Sequence, residues 1–424
     1  MLKRIISVSL AVLFAAVCFG CTTPVNNNTD PTAAPAEGDT VSYLNERGKT
    51  CAISLHTLNE GLLSSSEYNA RYSEVNNMFA VTMAKAMANN KTCVYSPLSL
   101  QIALQILANG ADEATAAKLL DSICPGLTRA DVNASTARLI DTFLSAKGVN
   151  INSAFVANCG YRVSEKFANI AADYYRASVG ALDFSNPNKA LKEINNWVYQ
   201  NTDGLISELL DHLDRETVIV ILNALTLDLN WAIPFKPQSA TTPFHGVSGT
   251  KDVNMISVTD KFDYGKFDEG EMVIIPYEGG EYCMAVILPK EGVAPADAAV
   301  KLIGRQNECS STSVSLQMPR VEITSKIDVL AMASDLGISE GLKGDFSEML
   351  NGDDFSITTI MQGAKLIVNE KGTKAAAATA IVGSKGISLL NGDVFMLCDR
   401  PYAMVIYQVE TGAVLFVSTV GDAA

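Results

Sequence analysis

The stretch that most constrains this chain is Asn369–Asn391, NEKGTKAAAATAIVGSKGISLLN. It opens on the charged pair Glu370-Lys371, passes through a block of small residues and ends in a tail rich in Gly and Ser. Propensity alone makes Ala375–Ala378 helical, because alanine costs least in a helix. Alternation gives a second reading. In an extended strand one face carries Thr373, Ala375, Ala377 and Thr379, and the other carries Gly372, Lys374, Ala376 and Ala378. The first face is unhindered enough to enter the middle of an existing sheet, while Lys374 on the other face reaches water.

The rest of the chain must supply a fold around that stretch. Of its 424 residues 48% are hydrophobic, which is the composition of a large folded domain rather than a disordered one. A formal net charge of −14 opposes nucleic-acid binding, which depends on Lys and Arg neutralising phosphates. The three histidines, His56, His212 and His245, stand in no nucleophile–base pattern, and G-x-S-x-G, H-E-x-x-H, C-x-x-C and P-loop motifs are missing. Nothing supports an enzyme, and no metal site or cofactor is expected. Most of the nine cysteines sit in apolar contexts and read as buried thiols, with a disulfide left open.

Met1–Gly20 reads as an export signal, with Lys3 and Arg4 ahead of the apolar run Ile5–Phe19. Cys21 stands where a bacterial lipoprotein is cut and acylated, although Cys18 and Phe19 depart from the usual residues before it; ordinary signal cleavage is the alternative. Residues 21–40, rich in Pro, Asn, Thr and Ala, read as a tether, and 41–424 as the folded domain. A protein held to a cell surface or envelope membrane through lipid on Cys21, or secreted, is expected.

From Val75 the residues Val75, Met78, Phe79, Met83 and Met87 recur on one helical face. Cys93–Ala111 runs from strand to helix, with Ser96 as cap and Pro97 in the first turn. Val149–Val163 and Ala181–Phe184 read as strand pieces around a helix, and Val218–Trp231 as a buried strand and its exit. Met272–Pro289 is a hairpin about Gly-Gly, Ser315–Ile323 alternates as a strand, and the C-terminal residues form two strands about a Thr-Gly turn.

EKGTKAAAATA resembles the hinge of the reactive-centre loop of inhibitory serpins, and the resemblance runs from about Val75 to Val420. It includes SPLS at Ser96–Ser99, INNWV from Ile194, Asn223-Ala224 with Trp231 and two PF pairs, LGI at Leu336, DFS at Asp345, and VLFVS, where Ser418 replaces the usual Gly. The fold implied is α+β, with three β-sheets, about nine helices and a reactive-centre loop exposed above a five-stranded sheet. The activity implied is inhibition of a serine protease, or of a cysteine protease, by suicide-substrate trapping. The cut loop inserts into the central sheet and carries the acylated protease with it. A non-inhibitory serpin acting as a binding or storage module is the alternative. Gly372, Thr373 and Ala375–Ala378 favour the inhibitor, since bulky or charged hinge residues mark the other kind.

The resemblance also implies residue roles. Glu370–Thr379 form the hinge, that is Glu370, Lys371, Gly372, Thr373, Lys374, Ala375, Ala376, Ala377, Ala378 and Thr379. Arg320 pairs with Glu370, Trp231 packs below it, and Ser96, Ser99 and Asn223 form a polar cluster lower in the sheet. Gln362 stands there where the family often has a histidine, so the cluster lacks a group titrating near neutrality. Counting from Glu370 by the family's usual spacing lands on Gly386, which has no side chain to fill a specificity pocket, so the bond is placed one residue earlier, at Lys385–Gly386; counting back from Pro401 lands near Leu390, with Leu389 and Asn391 beside it. The lysine favours a trypsin-like protease as partner, and the leucines a chymotrypsin-like or elastase-like one. A monomer is expected.

Overall fold

The computed structural model describes residues 40–44, 50–54, 70–87, 91–145, 148–351, 355–373 and 393–423. Among them are eight α-helices, one 3-10 turn and three sheets, so the architecture is α+β, as expected. No helix among the described residues is long and apolar enough to cross a membrane.

The sheet that bears on function has seven strands, labelled here in chain order: β1 (Val149–Asn158), β2 (Ser178–Leu182), β3 (Ile219–Leu227), β4 (Leu229–Asn230), β5 (Val321–Asp328), β6 (Ile360–Val368) and β7 (Gly372–Thr373). Five of them are long, in the order β2, β1, β3, β6, β5; β4 and β7 are two-residue strands at one end, between β3 and β6. β3 reads as an unbroken apolar run because both of its faces are covered, and all nine of its residues are buried.

One face packs on the main core. Helix α1 (Pro97–Asn109) lies there, buried along its whole length. Its start follows from sequence: Ser96 is in extended conformation, its hydroxyl accepts the Ser99 N–H, and Pro97 takes the first helical position, where a missing N–H costs nothing. The other face is covered by helix α2 (Pro187–Asn201) and the segment after it. Ile194, Val198, Ile206 and Leu209 pack there with Leu222 and Val220 of β3 and with Met361 and Ile367 of β6.

The second sheet, of nine strands, is a long meander through Gly249–Lys266, the hairpin Gly270–Pro276 and Tyr282–Pro289, and the C-terminal pair Tyr402–Gln408 and Val414–Val420. Ser418 donates its hydroxyl to the Cys93 carbonyl at 2.8 Å, so the residue that replaces glycine ties the last strand to Cys93–Tyr95. The third sheet is the hairpin Thr40–Leu44 with Thr50–Ser54.

Two sequence expectations change. Met78 is half exposed, and the buried face of the first helix (Ala70–Ala86) is instead Tyr72, Val75, Phe79 and Met83, so an unbranched apolar residue counted as core lies one step off the stripe. Ser315–Ile323 is not one strand. Ser310–Pro319 belongs to the nine-stranded sheet and Val321–Asp328 is β5. The chain changes sheets at Arg320, where Pro319 ends one ladder and Arg320 N–H bonds the Asn254 carbonyl at 3.0 Å. Alternation continues through such a crossing, which is why the pattern does not show it. The six cysteines with described side chains carry free thiols, and four of them are buried.

Candidate functional site

β3 and β6 run parallel, yet they pair only from Ile360↔Ile221 to Ala364↔Leu225. Above that level they part. After β6 the chain turns at Asn369-Glu370-Lys371 and comes back as β7, which fills the gap: Thr373 pairs with Val368 of β6 and with Leu229 of β4, and Gly372 with Asn230. A slot in the sheet is therefore open at one end and occupied by two residues.

The turn is gripped from one side. The indole N–H of Trp231 donates to the Asn369 carbonyl at 2.8 Å, Phe235 N–H to the Glu370 carbonyl at 2.9 Å and Trp231 N–H to the Lys371 carbonyl at 2.8 Å. Three consecutive carbonyls are thus held by one five-residue segment. The Asn369 N–H closes the turn on the Gly372 carbonyl at 3.0 Å, and the Asn369 side chain accepts the Lys371 N–H at 2.9 Å. Glu370 is buried, and its carboxylate meets the guanidinium of the half-exposed Arg320. A buried carboxylate needs such a partner.

Gly372 and Thr373 fit the slot by size. A Cβ at position 372 would collide with the Leu229 carbonyl. Thr373 is 1% exposed, and its hydroxyl shares a 2.6 Å hydrogen bond with that of Tyr277. The Tyr277 ring is stacked on Trp231, with centroids 4.6 Å apart and planes 11° apart. Burial pushes the Tyr277 hydroxyl well above its ordinary pKa, and the Thr373 bond offsets this only in part, so the phenol stays protonated. Tyr277 and Leu229 are not singled out by sequence reasoning, and Phe235 enters there only as part of a PF pair. For Tyr277 the signal is its place at the end of a hairpin strand just before Gly279-Gly280, where the chain bridges back to Trp231.

Lower in the sheet, Gln362 and Ser96 hold one another. The Gln362 amide oxygen accepts Ser96 N–H at 3.1 Å, and its NH2 donates to the Ser96 carbonyl at 2.8 Å. Asn223 is the register neighbour of Gln362 across the β3–β6 seam, but its NH2 donates the other way, to the Ser153 hydroxyl of β1 at 2.9 Å. The expected cluster thus forms as two groups, Ser96 with Ser99 and Gln362 on one side and Asn223 with Ser153 on the other. The Asn223 amide oxygen and the Ser99 hydroxyl are buried with no hydrogen-bond partner. Ser153 is invisible to motif reading because it is one residue of an ordinary strand.

Glu370, Lys371, Gly372 and Thr373 of the expected hinge, with Arg320, Trp231, Ser96, Ser99, Asn223 and Gln362, lie among the described residues. Lys374–Thr379, Lys385, Gly386, Leu389, Leu390, Asn391 and Cys21 lie outside them.

Comparison with known proteins agrees with this architecture. The family described as "Serpin (serine protease inhibitor)" matches residues 74–423. An uncharacterised serpin-like protein of Thermococcus kodakarensis is 27% identical over 433 residues, covering 98% of each chain. Neuroserpin of Homo sapiens is 26% identical over 365 residues, 79% of this chain and 87% of the relative. Among solved structures, human thyroxine-binding globulin complexed with its ligand superposes with a TM-score of 0.74 at 23% identity, over 84% of this chain and 100% of the other. The thermophilic serpin tengpin in its native state gives a TM-score of 0.71 at 23% identity, over 83% of this chain and 94% of the other.

Proposed function

The chain belongs to the serpin family, and from that premise we propose that it inhibits proteases covalently, by offering its loop as substrate and then inserting it as a new strand between β3 and β6. The observation that carries this reading is the occupied slot: Gly372-Thr373 already pairs on both edges where β3 and β6 diverge. Loop residues beyond Thr373 need only extend a ladder that has been started.

In the proposed reaction the protease serine oxygen attacks the Lys385 carbonyl carbon. The Lys385–Gly386 bond breaks, an ester joins Lys385 to the protease, and the amine leaves as the new N-terminus at Gly386. The severed strand is then free to enter the sheet. Each inserted residue gains ladder hydrogen bonds on two edges, worth about 0.5–1.5 kcal/mol apiece net. About a dozen residues bring the gain to the order of 10 kcal/mol, comparable with the whole stability of an ordinary domain. That gain drives displacement of the acylated protease before water can free it. The uncut fold is metastable because an intact loop is tethered at both ends.

We assign Lys385–Gly386 as the bond for a trypsin-like enzyme, with Leu389–Asn391 as the site for a chymotrypsin-like or elastase-like one. Export, with lipid on Cys21, would hold the inhibitor at a membrane surface; radiolabelled palmitate entering the protein, and not the Cys21→Ala variant, is the expected result. The test of function is incubation with proteases of the three specificities. An SDS-stable complex with one of them, releasing a C-terminal fragment that starts at Gly386 for trypsin, is expected. Cleavage without any stable complex would favour a non-inhibitory member.

A further inference from the structure

We propose that the hairpin of Thr40–Leu44 with Thr50–Ser54 is a cap on one edge of the seven-stranded sheet, lying along β2 and closing that edge to a strand from a second copy of this chain. The cap does not depend on whether the loop inserts.

The two ends of that sheet differ. β2 and β5 are its outermost long strands. β5, VEITSKID, sets Glu322, Lys326 and Asp328 at exposed positions. Charge on an edge strand is a common guard against pairing with another chain. β2 is SVGAL, with no charge and no proline. It pairs in parallel with β1 on one side, from Ala154↔Ser178 to Asn158↔Leu182, and among the described residues it is the last strand of the sheet there. Val179 and Ala181 pack into the main core, and Leu182 into the apolar cluster beneath α2. Both faces of β2 are therefore covered, and its outer edge is the side that remains to be closed. An edge with no charge or proline of its own needs a cover.

The hairpin supplies it. Its strands, TVSYL and TCAIS, pair antiparallel from Thr40↔Ser54 to Leu44↔Thr50, and neither carries a charge. Two strands of five residues are marginal in water by themselves and need a surface to rest on. The surface is the angle between β2 and the helix Glu165–Tyr175, with Thr50–Ser54 as the inner strand and Thr40–Leu44 on its outer side. The hairpin forms a sheet of its own, so it stops the edge of the larger sheet without lengthening it. It also lies ahead of residues 74–423, which match the family.

The occupant that the hairpin keeps out is a second copy. Every copy presents the same bare strand, and two identical edges can pair about a two-fold axis.

The test uses the exported chain with Cys21→Ala in every sample, so that acylation drives no association. Ala52→Pro falls at the centre of the inner strand, opposite Ser42, and removes the backbone donor there. In this variant hydrogen–deuterium exchange should show the amides of Ser178–Leu182 losing protection while those of β3 keep theirs. Light scattering after size exclusion should give a mass above that of the parent chain, rising with protein concentration. Adding Ser178→Lys, at the half-buried start of β2, gives the edge a charged guard and should return the parent's mass. Unchanged exchange at Ser178–Leu182 overturns the proposal. So does a mass equal to the parent's in Ala52→Pro, or an association that Ser178→Lys leaves in place. If Ala52→Pro costs the fold, seen as lost protection in β3, Tyr43→Pro, opposite Cys51, breaks the same hairpin from its outer strand and is read by the same outcomes.

Discussion

Thr373 shows how much one side chain decides. Its hydroxyl sits in a closed site under Tyr277, and its backbone pairs with both edges of the slot. Thr373→Arg would bring an unpaired cation against an apolar core, a cost of several kcal/mol that the chain avoids by leaving the slot. The expected result is a protein that folds but is cut as a substrate, with the yield of SDS-stable complex down by about tenfold or more, since each 1.4 kcal/mol is a factor of ten. Arg320→Ala leaves the Glu370 carboxylate buried and unpaired. Because Arg320 is half exposed, the loss is discounted to about 1–2 kcal/mol. It should appear on warming as earlier conversion to loop-inserted or polymeric forms on native gels. An unchanged monomer lifetime would remove the pair from the account of sheet closure. The motif made Glu370, Arg320 and Trp231 legible in sequence, because each stands in a recognisable string. Tyr277 and Ser153 were not legible: their importance comes from a partner 96 residues away in one case and 70 in the other. No local pattern encodes such a meeting.

Among the elements, the cover over the sheet is the one insertion must disturb. Helix α2 and the segment after it lie across the β3–β6 seam, touching Leu222 on one strand and Met361 and Ile367 on the other. The segment is fastened by Asn195, whose NH2 donates to the Leu210 carbonyl at 2.6 Å and whose oxygen accepts the N–H groups of Leu209 and Leu210 at 2.9 and 3.0 Å. In the proposed insertion a new strand moves β3 and β6 apart by another strand spacing, about 4.8 Å, beneath this cover. Asn195→Ala should therefore loosen the fastening, quicken spontaneous loop insertion and lower the native stability by about 1–2 kcal/mol of lost hydrogen bonding. Native-gel conversion rates at one temperature measure it. The cover is also close-fitting: a Cβ at Gly363 would lie 2.9 Å from Leu209 and 3.0 Å from Ile206. Gly363→Val should unseat the segment and reduce stability, read as a lower thermal midpoint. At this scale the strands β1, β3 and the hairpin Gly270–Pro289 follow from apolar runs and turn residues. The division at Arg320 and the entry of β7 do not, because both are decided by what other strands leave unpaired.

For the molecule as a whole, the arrangement is a sheet in which β3 and β6 pair at one end and part at the other around the two residues of β7. The five long strands bury both faces, so a sixth inserted among them gains paired edges at little further cost in exposed apolar surface. A formal net charge of −14 opposes self-association by mutual repulsion. Hydrogen–deuterium exchange by mass spectrometry tests the central claim most directly, applied to the peptide spanning residues 374–384 before and after complex formation with trypsin. Insertion requires the amides of that peptide to become as protected in the complex as those of β3 and β6 on either side. A stable complex in which the same amides exchange no more slowly than in the free protein would contradict it.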